Sequence, residues 1–514
     1  MRRDLVGWLS LLALAAPAPA LAQSSEKEIE LPRLGLDPAE PSVRSAPPAL
    51  PFGVAPATSK EVVLDFHGYA SLPLQIGIQK RDEPSPGESG TVLHTPAYVP
   101  QNYRRFQYTG VLPDPWIQLG LSYGNSLLAG TVILAAGAAT EAESYYNPVK
   151  QLGVSDAYVT LNLSEKVGIP LQIRGGAMHN RYGSMGAFDA GRYGTPLIAR
   201  INAIGETATA AFKAGPATVV LEQGIGGQLG RIPVGTAPEA WNDFGSQEAG
   251  ASYVGHFHGG LSVAGRFQLG LHYITAWSQD DLGETQQLSS GHINVLGADA
   301  RLTWGRFGHL YGGVAHTQAK NPRAVSGIIE VLNARGGEGL FNEYLGPRRD
   351  PNQTVAEAAQ SPGDGSLTTF GFQYDLSIAR AMFGDRYHGK NPDVLISAFG
   401  IGTSVSSDDY PDYDGVLKLK AGLEATYTMA SWFGVSGRLD HVRQNHDFNR
   451  RSFTVYTGRL LFHTYWQSRD EFALSYSRFV YGREVYVEKG SPALDDPTAS
   501  PDRDVLSLSA TFWW

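Results

Sequence analysis

The densest set of oxygen ligands in this chain is the run Asp408-Asp409-Tyr410-Pro411-Asp412-Tyr413-Asp414. Carboxylates this close together could hold Ca2+. The spacing is not that of an EF-hand loop, however, and a solvated acidic loop tip accounts for it better. Asp495-Asp496 and Asp502 with Asp504 are weaker versions of the same pattern. His256 and His258 would share one face of a strand and could approach one metal, but no third ligand is placed beside them. They read as wall-lining histidines, and so does the set His441, Arg443 and His446. There is no cysteine, which removes thiol nucleophiles, disulfides and Cys-ligated metals. A phosphate loop and a zinc-protease helix are also missing. The expectation is a non-enzyme that needs neither metal nor cofactor.

The charges that remain sit at alternating positions within otherwise apolar segments. The cationic members are Arg174, Arg266, Arg301, Lys418, Lys420, Arg438 and Arg459, and the anionic ones are Asp65, Glu222, Asp299, Asp375, Glu424 and Asp440, joined by His67, His272 and His463. A single-sign ring would give strong ion selectivity. This set is mixed, so its count predicts none. Its chemistry is that of a polar wall whose charges meet water and one another.

The elements that would position such a wall are strands. Asp299, Arg301 and Thr303 alternate with Ala298, Ala300, Leu302 and Trp304, and Lys418, Lys420 and Glu424 alternate with Leu417, Leu419, Leu423 and Ala425. A period of two is a strand with one apolar face. Val62–Leu72, Ile117–Tyr123 and Val505–Trp514 follow the same rule. Short turns at 124–126, 165–167, 214–216, 305–306, 432–434 and 467–470 alternate with long polar segments at 82–112, 140–153, 184–197, 231–246, 322–366, 404–414 and 487–503. Two further connections fall near 281–290 and 446–450. Nine long connections imply about eighteen strands. The expected fold is all-β: a closed antiparallel transmembrane barrel spanning 61–514, with short periplasmic turns, long extracellular loops and both termini in the periplasm.

The N-terminus reads as a Sec-type signal peptide over 1–22: Arg2 and Arg3, an apolar stretch from Leu5 to Ala16, then Ala20-Leu21-Ala22. Its removal takes away two Arg and one Asp and changes the formal charge from −9 to −10, which is no footprint of nucleic-acid binding. Residues 23–60, with Pro41, Pro47, Pro48, Pro51 and Pro56, read as a flexible periplasmic segment. A slightly negative mean hydropathy and the lack of a long apolar run after residue 25 argue against membrane helices.

Leu506, Leu508, Ala510, Phe512 and Trp514 make one face of the last strand, which ends on an aromatic. This resembles the terminal strand of bacterial outer-membrane proteins. The resemblance implies that these five residues are an assembly signal read by the barrel-assembly machinery, and that the strand closes on the one near Glu61 to Gln79. It further implies a porin-type channel in outer-membrane lipid that passes small hydrophilic solutes. Porins are often trimers, so a homotrimer follows by analogy. The constriction candidate is loop 322–366, whose Ile328, Ile329, Val331, Leu332, Phe341, Tyr344 and Leu345 must cover something: tucked into the barrel mouth they would let Arg323, Arg335, Arg348 and Arg349 project into the opening, and packing between neighbouring loops outside would bury them equally well. Segment 82–112, with Arg104 and Arg105, is a second candidate. An architectural resemblance to alginate-export barrels leaves an alternative open, a polysaccharide export conduit acting with periplasmic partners.

Overall fold

The computed structural model describes residues 62–77, 116–137, 151–168, 170–184, 196–229, 251–278, 290–325, 327–331, 334–335, 340, 345, 363–384, 392–409, 414–443, 452–463, 470–481, 485–486, 494–495 and 503–513. The expected signal peptide, the Pro-rich segment, Arg104, Arg105, Arg348, Arg349 and Trp514 lie outside them.

Eighteen long strands carry the fold: β1 (Val63–Gly77), β2 (Trp116–Gly124), β3 (Leu128–Gly137), β4 (Gln151–Asn162), β5 (Leu171–Ser184), β6 (Pro196–Ala214), β7 (Ala217–Leu229), β8 (Ala251–Val263), β9 (Phe267–Ser278), β10 (His292–Thr303), β11 (His309–Lys320), β12 (Gly365–Ser377), β13 (Asp393–Ser407), β14 (Leu417–Ala430), β15 (Phe433–Arg443), β16 (Phe453–His463), β17 (Glu471–Tyr481) and β18 (Arg503–Trp513). Each pairs antiparallel with the strand before and the strand after it. The last pairs with the first, from Tyr69 opposite Trp513 to Gly77 opposite Val505. Among the described residues no helix is long and apolar enough to cross a membrane.

Strand ends are set by turn chemistry. The Asn125 side chain accepts the N–H groups of Leu127 and Leu128, each at 3.0 Å, and so fixes the β2–β3 turn. Ala264 and Gly265 both hold positive φ, 50° and 67°, the backbone twist that suits a tight hairpin between β8 and β9. That turn corrects one expectation. Arg266 lies in it, exposed, and not on a strand wall, because β8 ends at Val263 and β9 begins at Phe267. Short connections alternate with long ones such as 230–250 and 321–364. The connection 378–392 breaks the contrast: it lies on the short side and carries the helix Ile378–Phe383, whose first turn is held by Ser377 and by Asp393, which accepts the Ala379 N–H at 2.8 Å.

Polarity across the sheet is inverted relative to a water-soluble protein. Along β10, Ile293, Val295, Asp299 and Arg301 are buried while Leu296 and Leu302 are exposed. On β14, Lys418 and Lys420 are buried and Leu419 and Leu423 exposed. Glu222 is the most buried of the described charged residues, at 1% of its full exposure, while Ile204 is 70% exposed.

The buried apolar residues gather at the end of the sheet that carries the long connections. Ile293 and Val295 of β10, Val442 of β15 and Phe453 and Val455 of β16 belong to one cluster there, with the charges of the same strands one step further from that end. The cluster is completed from within. β4 pairs with β5 only from Ala157 to Asn162, and β6 with β7 only from Ile204 onward. Past those points the β5–β6 hairpin turns away from both neighbours. Ile198, Ala199 and Ile201 are all buried, so both faces of β6 are covered there, as in a strand with protein on each side. A short strand, Ile329–Val331, adds to this hairpin, with Ile329 opposite Ile201 and the Asn202 N–H donating to the Ile328 carbonyl at 2.8 Å. Ile328, Ile329, Val331, Leu340 and Leu345 are buried in the same cluster.

Candidate functional site

Two clusters of charged side chains lie on the buried face of the sheet. The first spans β5 to β10. Glu222 on β7 accepts hydrogen bonds from the Tyr182 hydroxyl at 2.8 Å and the Thr209 hydroxyl at 3.0 Å, and His256 Nε2 lies 3.6 Å from its carboxylate. His258 and His272 share a hydrogen bond between their Nδ1 atoms at 2.9 Å, their rings stacked with centroids 4.4 Å apart. The other nitrogen of His272 bonds Asp299. The Tyr182 ring lies 5.3 to 6.1 Å from the rings of His256, His258 and His272, so one residue touches all three. Alternation puts these groups on one face, and missing side chains let them lie flat. A Cβ on Gly270 would come within 2.7 Å of His272 Nε2, and one on Gly260 within 3.3 Å of His258 Nε2.

The second cluster lies on β14 to β16. Arg438 binds Asp440 through two bonds, 2.7 and 2.8 Å, and reaches Glu424 at 3.2 Å. Arg459 bonds the other oxygen of Glu424 and donates to Ser436 at 3.2 Å. The Arg438 guanidinium also lies 5.5 Å from the centre of the Phe399 ring. Two cations and two carboxylates therefore balance within one network, and a bidentate guanidinium–carboxylate pair gives it fixed geometry. Smaller groups follow. Arg301 lies over the Tyr311 ring at 5.4 Å and is 3.3 Å from His309 Nδ1. Asp375 accepts from Gln373 and, at 2.6 Å, from Ser397.

Of the residues singled out from sequence, Arg174, Glu222, His272, Asp299, Arg301, Asp375, Lys418, Lys420, Arg438, Asp440, Arg459 and His463 are buried on the inner face, and Glu424 is partly buried there. Asp65 and His67 lie on β1 and Arg323 and Arg335 on the 321–364 connection, but their side chains lie outside the described ones. Leu506, Leu508, Ala510 and Phe512 share the outer face of β18, and Phe512 packs edge-on against Phe472 with ring centroids 5.6 Å apart. Sequence reasoning missed His309, Asp393 and Asp156, all buried. His309 and Asp393 each begin a strand, where no strand residue precedes them and the alternation cannot be told from the turn before it. Asp156 sits beside a register shift in β4 that breaks the period of two.

The acidic run has a structural part. Asp409 accepts the Asp364 N–H at 2.7 Å, Asp364 accepts the Asn321 N–H at 2.6 Å, and Asp414 accepts the Ser406 hydroxyl at 2.9 Å. These bonds tie the two ends of the 321–364 connection to the start of the next long one. Among the described residues no group of three or more His, Asp or Glu side chains is arranged to hold a metal ion.

No protein-family profile matches the chain, and no curated protein matches it in sequence. Solved structures with a similar strand arrangement include the outer-membrane channel DcaP of Acinetobacter baumannii, at 11% identity over 90% of this chain and 100% of that one, with a TM-score of 0.39. OccK8 (OprE) of Pseudomonas aeruginosa gives 11% identity over 89% and 99%, with a TM-score of 0.41. OmpT of Vibrio cholerae, an outer-membrane protein in its trimer form, gives 10% over 88% and 99%, with a TM-score of 0.32. Likeness at this level leaves the function to be read from the chain's own geometry.

Proposed function

We propose that this chain is an outer-membrane channel of the porin type, a closed barrel of eighteen strands that passes hydrophilic solutes through a polar lumen. The observation that carries the reading is the inverted polarity of the ring: buried charges on one face, exposed Leu, Phe and Val on the other. In water, an apolar belt of this extent would be an aggregation surface. In a bilayer it is the required exterior, and the opposite arrangement would cost about 2–4 kcal/mol for each Lys or Arg at mid-depth. A ring in which β1 pairs with both β2 and β18 also leaves no end strand whose whole edge would have to be satisfied by lipid. Strands such as Phe267–Ser278, with 12 residues, exceed the roughly 9–11 needed to span the hydrocarbon.

In this reading the short connections face the periplasm and the long ones the outside, with outer-membrane lipid around the barrel. The mixed clusters around Glu222 and Glu424 make the lumen wall hydrophilic without a single-sign field, which suits neutral or weakly charged solutes. The apolar cluster at the long-connection end, built from the β5–β6 hairpin with Val325, Ile328, Ile329, Val331, Leu340 and Leu345, is the constriction. A homotrimer remains part of the proposal as an analogy with porins.

The test is conductance in planar bilayers together with labelling of introduced cysteines. Ion-conducting steps, with water-soluble maleimides reaching Cys at Lys420 but not at Leu423, support the reading. A membrane-free, water-soluble product would sink it. The second reading, polysaccharide export with periplasmic partners, draws on the same apolar cluster, since a conduit for a polymer must stay shut between substrates. Loss of surface polysaccharide with unchanged small-solute uptake on gene deletion favours export.

A further inference from the structure

Three glycines form a row across the wall. Gly176 on β5 is the ladder partner of Gly205 on β6, and Gly205 is the partner of Gly226 on β7. The row lies where the β5–β6 hairpin leaves its neighbours: the β4–β5 ladder ends one residue beyond Gly176, at Ala157 opposite Ala177, and the β6–β7 ladder ends one residue before Gly205, at Ile204 opposite Gly227. Each glycine is required by the bend. Gly176 holds φ +140°, and a Cβ there would come within 2.7 Å of Tyr158 Cα. A Cβ on Gly205 would run into the backbone of Ile225 and Gly226, and one on Gly226 would lie 2.7 Å from the Ala203 Cβ. Side chains at these positions are compatible with a flat strand and incompatible with the fold-over.

Beyond the row the hairpin reaches across the interior. Ile198 on β6 rests against Gly297 on β10, four strands away around the ring: a Cβ on Gly297 would lie 2.7 Å from Ile198 Cδ1. In this position the hairpin is held by the three-residue strand Ile329–Val331 and by apolar packing. Swung the other way, its residues 178–184 and 196–203 would lengthen the β4–β5 and β6–β7 ladders.

We propose that the β5–β6 hairpin is a two-state gate that hinges on the Gly176–Gly205–Gly226 row, shut when it lies across the lumen with strand 329–331 attached and open when it rejoins the wall. The proposal rests on reading the ring as a channel. It exchanges the pairing of Arg200 and Ile201 with Glu330 and Ile329 for new pairing along β4 and β7, so each end state gives the hairpin backbone partners, which is the condition for a bistable element. The hinge accounts for an apolar cluster at that end: it contains Ile198, Ala199 and Ile201 of the hairpin, Ile328, Ile329, Val331 and Leu345, and wall residues such as Ile293 and Val295.

The native chain has no cysteine, so introduced ones report alone. Ile201→Cys with Ile329→Cys joins the hairpin to its internal partner at directly opposed positions. Under oxidising conditions we expect opening events in planar bilayers to fall at least tenfold, and dithiothreitol to restore them. Equal opening in oxidised and reduced protein would overturn the gate. A second readout does not need conduction. In full-length, membrane-inserted protein carrying Leu345→Cys, the Gly205→Val change should speed maleimide labelling at least tenfold, with Gly205→Ala as the milder variant if Gly205→Val does not give the heat-modifiable folded band. Equal labelling of the folded variants and the parent overturns the hinge. A parent that never conducts while its labelling does respond keeps the hinge and removes the channel reading.

Discussion

The side chain of Ile198 occupies the place a Cβ on Gly297 would need, with 2.7 Å between that position and Ile198 Cδ1. A residue of the sixth strand thus seats on the tenth, inside the ring. Gly297→Val should push the hairpin off its seat. We expect a destabilisation of about 1–3 kcal/mol from overpacking, together with higher conductance than the parent, measured by urea unfolding in lipid and by planar-bilayer recording.

The Glu424–Arg438–Asp440–Arg459 network predicts a strong asymmetry between breaking a pair and deleting it. Arg438→Met leaves Asp440 buried beside it without its bidentate partner and should cost about 3–5 kcal/mol. Arg438→Met combined with Asp440→Leu should recover most of that loss. Unfolding free energies of the two single variants and the double variant in lipid vesicles check this. Additive losses would refute it.

Leu423 separates a lipid-facing from a water-facing exterior. It is 49% exposed, and an exposed leucine in a water-soluble protein accepts Arg with a change of about 0.5 kcal/mol or less. Facing hydrocarbon, Leu423→Arg should cost about 2–4 kcal/mol. The folded fraction recovered from vesicles, compared with the parent, reads the difference directly.

The terminal strand should be indispensable, while its aromatic contact is only helpful. Removing residues 503–513 strips β1 and β17 of a neighbour each, and no heat-modifiable folded band is expected. Phe512→Ala removes the edge-on contact with Phe472, a pair worth about 0.5–1.5 kcal/mol beyond its buried area. It should lower the folded yield without abolishing it.

Much of this arrangement was legible in the residues because a strand reports its two faces every second position. Asp299 and Arg301 against Leu302, and Lys418 and Lys420 against Leu419, announced the buried and exposed faces that the structure displays. Arg266 escaped because alternation looks the same for the last residue of a strand and the first of a turn, and only the paired positive φ of Ala264 and Gly265 separates them. Ile328, Ile329, Val331 and Leu345 marked their connection as one with side chains to bury by being too apolar for a solvated loop. The partner of that segment was not legible. Ile201 meets Ile329 through backbone pairing across 128 positions, and pairing of main-chain groups leaves no trace in side-chain pattern. The glycine row was hidden for the same reason, since its members are neighbours only once β5, β6 and β7 are in register. The histidine group divided between these cases: His256 and His258 were visible as a same-face pair, whereas their meeting with His272 and Tyr182 depends on register alone.

Tyr69 and Trp513 are ladder partners separated by 444 positions of chain. Contacts of such span form late, because the polymer must first be brought end to end. Until β18 arrives, every molecule carries two raw edges, on β1 and on β17, each offering a row of backbone donors and acceptors to whatever strand comes by. The final folding event is thus a search by one edge for its mate within the same molecule. A mate found on a second copy would satisfy the same hydrogen bonds and give an exchanged oligomer. High local concentrations of half-made sheets therefore favour entanglement, and slow, dilute delivery to the membrane favours the single ring.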